Sequence, residues 1–181
     1  MSNIIALDLE TSGLTNDHEI LSIGCCTEDY KFFYQEVKWD QLLVSPRAME
    51  INQIDLRKQS GIPLKESLLN LNKWLRTKFP NEEKIMPLGF NVGSFDLRFL
   101  IKSYAQVSVE CPFHYRHIEL NSILMFLGKD KESYMKDMWE FIRKAQEDHC
   151  VGWVPIELVE HNALADALHS MVCYNNLKSK L

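Results

Sequence analysis

The stretch that decides the fold is residues 4–14, which read Ile-Ile-Ala-Leu-Asp-Leu-Glu-Thr-Ser-Gly-Leu. Ile4 to Leu7 form a short apolar run rich in β-branched residues, and this pattern indicates a buried central strand. The run ends at Asp8 and Glu10, after which Thr, Ser and Gly indicate a turn. The sequence therefore predicts a central strand that delivers two carboxylates at its end.

The segments that follow predict strands first and then an alternation of strands and helices. Strands are predicted over 19–26, 30–37 and 84–90, the first two as a hairpin. Helices are predicted over 63–79, 95–106, 130–148 and 163–177, with a short one opened by Ser45-Pro46. Residues 117–123 are ambiguous between strand and loop. We therefore expect one α/β domain over 1–181, with a mixed central β-sheet flanked by helices.

Composition narrows the class of protein. The 181 residues include 20 Lys or Arg and 25 Asp or Glu, which gives a formal net charge of −5. This balance argues against a protein that coats nucleic acid through bulk charge, but not against an enzyme that handles a few nucleotides with metal ions. The five cysteines contain no Cys-x-x-Cys pair and are expected to be reduced. Because the sequence has no run of about 18 apolar residues and no signal peptide pattern, we expect a cytoplasmic protein without a membrane span.

Asp8 and Glu10 are the first candidates for chemistry. Residues two apart on a strand point to the same face of the sheet. Two carboxylates about 4 Å apart repel by about 4 kcal/mol at an effective dielectric near 20. A divalent cation is the obvious compensation, because hard ions such as Mg²⁺ prefer carboxylate oxygens. The pattern is weak evidence by itself, since Asp-x-Glu also begins at Asp17 and Asp130, where the context is typical of solvated surface charge.

Two further segments place an acidic residue near the start of a helix. In the first, a Gly-containing turn leads into a helix with Asp96 in its first turn. In the second, His161 and Asn162 precede a helix that carries Asp166 among small residues, which would let this helix approach a sheet closely. Each segment alone has a simpler interpretation, because the helix dipole favours an acid in the first turn and Asn commonly caps a helix.

Taken together and in order, the three segments resemble the three motifs of the DEDDh branch of the 3′–5′ exonuclease superfamily. The motifs are Asp8-x-Glu10-Thr11 with Gly13-Leu14, then Asn91 to Asp96, then His161 to Asp166. The match covers residues 4–174, and His rather than Tyr at position 161 marks the branch. Four residues separate Asn91 from Asp96, where many members have three, but oligoribonucleases also have four. Residues 128–159 match nothing in the family and are expected to be a branch-specific helical insertion.

The resemblance implies a ribonuclease H-like fold and a metal-dependent enzyme that shortens single-stranded DNA or RNA, or short oligonucleotides, from the 3′ end. It implies that two Mg²⁺ or Mn²⁺ ions are held by four carboxylates, those of Asp8, Glu10, Asp96 and Asp166. His161 would act as general base toward the attacking water, and the product would be a nucleoside 5′-monophosphate. The same resemblance places six residues against the terminal nucleotide: Thr11, Ser12, Gly13, Leu14, Asn91 and Phe95. A homodimer is also compatible with the family.

Other functions stay open at the level of sequence. One alternative is a catalytically silent domain that binds nucleic acid or a partner, and another is a proofreading or effector subunit of a larger complex. Lys129, Lys131, Arg143 and Lys144 could guide a strand backbone, but they alternate with acidic residues, which is typical of a solvated helix face. The choice between RNA and DNA leaves no trace in the sequence.

Overall fold

A computed structural model describes residues 3–52, 54–56, 60–81, 84–147 and 161–180. These residues form one mixed sheet, with strands β1 (Ile4–Thr11), β2 (Ile20–Thr27), β3 (Phe32–Lys38), β4 (Ile62–Pro63), β5 (Met86–Gly89) and β6 (Ile118–Glu119). The helices are α1 (Pro46–Asn52), α2 (Leu64–Lys78), α3 (Asp96–Gln106), α4 (Leu120–Phe126), α5 (Lys131–Glu147) and α6 (Ala163–Lys178). The predicted α/β class, with a mixed central sheet flanked by helices, is confirmed.

The strand order is β4-β3-β2-β1-β5-β6, so β1 lies inside the sheet. β1 is antiparallel to β2 and parallel to β5, which makes the sheet mixed. The predicted hairpin is present, because β2 pairs antiparallel with β3 through a tight turn in which Thr27 N–H donates to the Lys31 carbonyl at 3.0 Å. An interior strand places its carboxyl end away from the edges of the sheet.

Alternate residues of β1 belong to two different cores. Ile5, Leu7 and Leu9 pack in the core that contains α2 and α3. Ala6 packs in the second core, with α4, α5 and α6. Because the side-chain period of a strand is two, Asp8 and Glu10 lie on the α6 side of the sheet. Asp8 and Glu10 therefore project toward the last helix rather than toward α2.

The predicted elements agree with the structure except at a few positions. Residues 117–123 contain β6 and the start of α4, a helix that the sequence did not predict. The Glu119 carboxylate accepts a hydrogen bond from Asn121 N–H at 3.1 Å and caps α4, whose Leu120 and Leu124 are buried. Pro63, predicted to begin a helix, belongs to β4, and the helix begins at Leu64.

The expected insertion over 128–159 is described only in part. Helix α5 occupies residues 131–147 of it, and residues 148–159 lie outside the described part of the chain. The last residue of the helix predicted over 130–148 lies there too. Among the helices that the structure describes, none is both long and apolar enough to cross a membrane. That the segment is an insertion, and that 1–181 is one domain, stay predictions.

Candidate active site

Asp8 and Glu10 stand at the carboxyl end of β1, where the ladder with β2 becomes irregular. Asp8 pairs with Gly24 and Glu10 with Ser22, and the register shifts after Glu10. Both carboxylates are half-buried and lie on the same face of the sheet. Asp8 and Glu10, the first pair of carboxylates predicted from the sequence, therefore lie close together and are accessible from the same face of the sheet.

Gly24 allows the last helix to reach these carboxylates. A Cβ at this position would lie 2.1 Å from the backbone oxygen of Ala163, the first residue of α6. Only glycine permits so close an approach of helix backbone to strand backbone. The Asn162 side chain caps the helix by accepting from Leu164 N–H at 3.1 Å and Ala165 N–H at 3.4 Å. The first turn of α6 is thereby held against the end of β1.

Helix α6 brings the third motif into the site. Asp166 Oδ2 accepts a hydrogen bond from the backbone N–H of His161 at 2.9 Å. His161 has a φ of 63°, a left-handed conformation that is uncommon for a residue with a Cβ. This turn places the exposed imidazole and the half-buried carboxylate beside the same cleft. The hydrogen-bonded turn therefore holds His161 and the Asp166 carboxylate close to each other at the cleft.

Asp96 joins the second motif to the first. It begins α3, is only 3% exposed, and its Oδ1 accepts a hydrogen bond from the backbone N–H of Leu9 at 2.9 Å. Leu9 lies between Asp8 and Glu10 in the sequence. The hydrogen bond therefore fixes the α3 carboxylate beside the strand that carries the other two.

The four carboxylates act on one another electrostatically. One oxygen each from Asp8, Glu10 and Asp166 lies within 4.8 Å of the others. Burial raises the pKa of Asp8 well above its ordinary value, and the charges of Asp96, Asp166 and Glu10 raise it further. Burial and the Asp166 charge raise the pKa of Glu10 to about 8. Burial also raises the pKa of Asp96, although hydrogen bonds from its own backbone and from Leu9 oppose this.

These groups fit a divalent cation. The donors are hard carboxylate oxygens, which suit Mg²⁺ or Mn²⁺ rather than a soft metal. The pKa values of Asp8 and Glu10 are raised because burial and mutual repulsion both disfavour the ionised carboxylates. Among the residues that the structure describes, no positive charge offsets these two effects at either carboxylate. A bound cation would relieve both. All four predicted carboxylates line one cleft, but the close group contains Asp8, Glu10 and Asp166, while Asp96 lies buried beside it.

An open cleft of about 430 Å³ lies above the carboxylates. Four of the six residues expected to contact a terminal nucleotide line it, namely Thr11, Leu14, Asn91 and Phe95. Ser12 and Gly13 are not among its lining residues. The Ser12 hydroxyl accepts from Glu19 N–H at 3.0 Å, and a Cβ at Gly13 would lie 2.3 Å from the His18 ring. These two residues therefore shape the loop that presents Leu14.

Residues of α3 anchor that loop, and sequence reasoning missed them. Arg98 Nη2 donates to the Leu14 carbonyl at 2.9 Å. Lys102 Nζ donates to the carbonyls of Asn16 at 2.9 Å and His18 at 2.6 Å, and it pairs with Glu19 at 3.0 Å. The loop of the first motif is therefore fixed by the helix of the second.

The lining of the cleft also includes residues of α1 that the sequence had not assigned to it. Ala48, Ile51 and Asn52 of α1 line the cleft, and Asn52 Nδ2 donates to the Thr11 carbonyl at 3.2 Å. Asn91 has a φ of 59°, and its N–H donates to Glu119 Oε1 at 2.9 Å. The cleft thus combines an acidic floor with partly apolar walls.

Comparison with known proteins identifies one family and several solved structures with a similar fold. The model of a family described as the Rv2179c-like 3′–5′ exoribonuclease domain matches residues 3–177. No curated protein matches the sequence. The nuclease domain of 3′hExo, a DEDDh family member bound to rAMP, has 14% identity and a TM-score of 0.66, over 98% of this chain and 92% of that one. Exonuclease X in complex with 5′ overhanging duplex DNA has 18% identity and a TM-score of 0.64 over the same shares, 98% and 92%.

A longer protein has the same fold in one part. E. coli Exonuclease I, in complex with a dT13 oligonucleotide, has 14% identity and a TM-score of 0.65 over 99% of this chain. The chain spans only 41% of that protein. At these identities the likeness concerns the fold, and it confirms the expected ribonuclease H-like α/β architecture.

Proposed function

Because the chain belongs to the Rv2179c-like 3′–5′ exoribonuclease family, we propose that it hydrolyses the terminal phosphodiester at the 3′ end of single-stranded or short nucleic acid. The family agrees with the 3′–5′ exonuclease expected from the three motifs. RNA is the first substrate to test, because the family description names an exoribonuclease.

One observation carries the proposal. Carboxylates from three separate segments of the chain meet on the floor of an open cleft, with an exposed imidazole beside them. A structural role does not explain this arrangement, because burial and mutual repulsion disfavour the charged forms of Asp8 and Glu10. It suits a site whose charges are completed by cations and a phosphate.

We assign the cation ligands to Asp8, Glu10, Asp96 and Asp166. Two divalent ions held there would stabilise the charge that develops on the attacking and leaving oxygens at phosphorus. The charges of the other three carboxylates all act on Asp8, so a bound cation would relieve repulsion at Asp8 in particular. Asp96, fixed by the Leu9 N–H, would add a carboxylate whose position is set before any ion binds.

His161 is the proposed general base. Its exposed ring borders the cleft, so it can accept a proton from a water that approaches the scissile phosphate. The hydrogen bond from its backbone N–H to Asp166 fixes the main chain of His161, from which the ring projects, relative to the carboxylates. The water oxygen becomes part of a 5′-monophosphate, and the 3′ oxygen of the preceding nucleotide leaves and takes up a proton.

The terminal nucleotide would occupy the cleft of about 430 Å³. Leu14 is 72% exposed and Ile51 is 39% exposed, so both side chains offer apolar surface to a ligand. Both line this cleft, and Phe95 lines it as well. Apolar contacts with the faces of a base are tolerant of sequence, as an exonuclease requires.

The test is cleavage of 5′-labelled single-stranded RNA and DNA with Mg²⁺, Mn²⁺ or EDTA. We expect a ladder that shortens from the 3′ end, which EDTA or the substitution Asp166→Asn abolishes. The matched control is Asp137→Asn on the exposed face of α5, which should leave the ladder unchanged. A folded protein that gives no ladder with either polymer would contradict the proposal and favour the silent binding domain. Activity that appears only with a copurified protein would favour the subunit of a larger complex. The homodimer and the cytoplasmic location stay predictions.

A further inference from the structure

A second cleft, of about 380 Å³, begins at the same carboxylates and extends toward α5. It shares four residues with the first cleft, namely Asp8, Phe90, His161 and Asp166. Its other lining residues come from α5 and α6: Glu132, Met135, Lys136, Trp139, Arg143, His169 and Ser170. The two clefts therefore meet at the proposed reaction centre and lead away from it past different elements.

The α5 wall of this second cleft is firmly attached to α6. The Trp139 ring stacks on His169 with centroids 4.6 Å apart and planes 8° apart. His169 Nε2 also lies 3.0 Å from the Met135 carbonyl. Tyr134, which precedes Met135 on α5, donates from its hydroxyl to the Cys173 carbonyl at 3.2 Å. These contacts fix α5 beside the helix that carries Asp166.

Two cationic side chains line the second cleft together with the carboxylates of Asp8 and Asp166. Lys136 and Arg143 are both exposed and both line it. They are seven residues apart on α5, which puts them on the same face of the helix. Lys144 is also exposed on α5 but does not line the cleft, and the one acid of the α5 wall is Glu132. The structure thus distinguishes Lys136 and Arg143, which line the cleft, from Lys144, which does not. The sequence alone could not show this difference.

A bound strand needs a second exit from the reaction centre. If the terminal nucleotide fills the first cleft and the scissile phosphate lies at the carboxylates, the rest of the strand must leave on another side. We propose that the second cleft binds the nucleotide on the 5′ side of the scissile bond, and that Lys136 and Arg143 contact that nucleotide's 5′-phosphate. This inference rests on the proposed function, and it names the part of the substrate that α5 recognises.

The experiment compares two dinucleotides that differ only in a 5′-phosphate, pNpN and NpN. Both carry the scissile bond, but only pNpN carries the phosphate that the cationic residues would contact. We expect wild type to hydrolyse pNpN with a kcat/KM about tenfold higher than NpN, because a contact with a charged group is worth about one factor of ten. Arg143→Gln or Lys136→Gln should reduce this ratio several-fold, because each removes a cationic group that contacts the 5′-phosphate present only in pNpN. Lys144→Gln, the matched control, should keep the full ratio.

The outcomes separate the inference from the proposed function. Hydrolysis by wild type with a ratio near one, or a ratio that both cleft variants keep, would overturn the inference and leave the exonuclease intact. If wild type hydrolyses neither dinucleotide, the ladder assay on the polymers decides the proposed function, and calorimetric titration of pNpN and NpN with Ca²⁺ present decides the inference by binding alone. A preference for pNpN that Arg143→Gln removes and Lys144→Gln keeps would support the cleft, and equal affinities would overturn it.

Discussion

Replacing Glu10 with Gln tests the electrostatic account of the carboxylate cluster. Gln has nearly the same shape as Glu but carries no charge, so the variant keeps the packing at the end of β1 and removes the repulsion. Burial and the Asp166 charge raise the pKa of Glu10 from 4.5 to about 8 in the folded chain. We therefore expect the metal-free variant to be more stable than wild type at alkaline pH.

The pH range of the effect follows from the direction of this shift. Below pH 4.5 Glu10 is protonated in both the folded and the unfolded chain, so the two proteins have similar stability. Between pH 4.5 and about 8 the unfolded chain releases a proton that the folded chain keeps, and the stability of wild type falls as pH rises. A pKa change of this size corresponds to about 5 kcal/mol at most. Since water enters the open cleft and screens the charge, we expect about 2 to 3 kcal/mol at pH 9.

The assay is urea unfolding in EDTA, followed by tryptophan fluorescence, at intervals from pH 4 to 9. Carboxylates far from the cluster titrate equally in both proteins, so the difference in the free energy of unfolding reports Glu10 and its repulsion of Asp8 and Asp96. Glu140→Gln, at an exposed position on α5, should show no such difference. Adding Mn²⁺ should stabilise wild type by about 3 kcal/mol at 100 times the dissociation constant, and the variant by less. A Glu10→Gln variant that is no more stable than wild type at pH 9 in EDTA would refute the reasoning.

Three further substitutions test the elements that position the site. Gly24→Ala would place a Cβ 2.1 Å from the Ala163 oxygen, so we expect it to lower the free energy of unfolding by about 3 kcal/mol and to abolish cleavage. Asn162→Ala removes the cap of α6 and is expected to lower the free energy of unfolding by about 1 kcal/mol, measured by urea unfolding. Arg98→Ala frees the Leu14 carbonyl, so in steady-state kinetics we expect KM for a short oligonucleotide to rise about tenfold with little change in kcat.

Each of these substitutions has a control elsewhere in the chain. Gly128 has a φ of 63° but nothing within 4 Å of a new Cβ, so Gly128→Ala measures backbone strain without a clash. Asn70→Ala, on the exposed face of α2, and Arg76→Ala, also exposed, should leave stability and KM nearly unchanged. An Ala at Gly24 that destabilises no more than an Ala at Gly128 would argue against the close approach of α6. A fall in kcat rather than a rise in KM for Arg98→Ala would contradict a role in holding the Leu14 loop.

The sequence predicted the central parts of the site because local patterns encode them. The apolar run before Asp8 indicates a buried strand, and a strand places Asp8 and Glu10 on one face. Small residues around Asp166 indicate a helix that can lie close to a sheet. Both features depend on near neighbours in the chain, and the structure shows them as expected.

The parts that could not be predicted depend on contacts between distant residues. Arg98 donates to a carbonyl 84 positions earlier, and any residue has a carbonyl, so no pattern marks the partner. Helix α4 depends on a cap from Glu119, which the sequence cannot distinguish from an ordinary surface acid. The separation of Lys136 and Arg143 from Lys144 follows from how α5 sits on α6. Such features become visible only in the folded chain.

The positions of β1 and α6 in the chain have a consequence for protein synthesis. β1 is synthesised before the other elements that the structure describes, whereas α6 is the last of the described helices to leave the ribosome. Throughout most of translation, Asp8 and Glu10 are therefore present without Asp166, and the sheet surface around Ala6 and Leu88 lacks its covering helix. A nascent chain that still lacks α6 therefore cannot assemble the cluster of Asp8, Glu10 and Asp166. The late position of Asp166 in the chain thus makes assembly of the carboxylate cluster depend on the docking of α6 against the sheet.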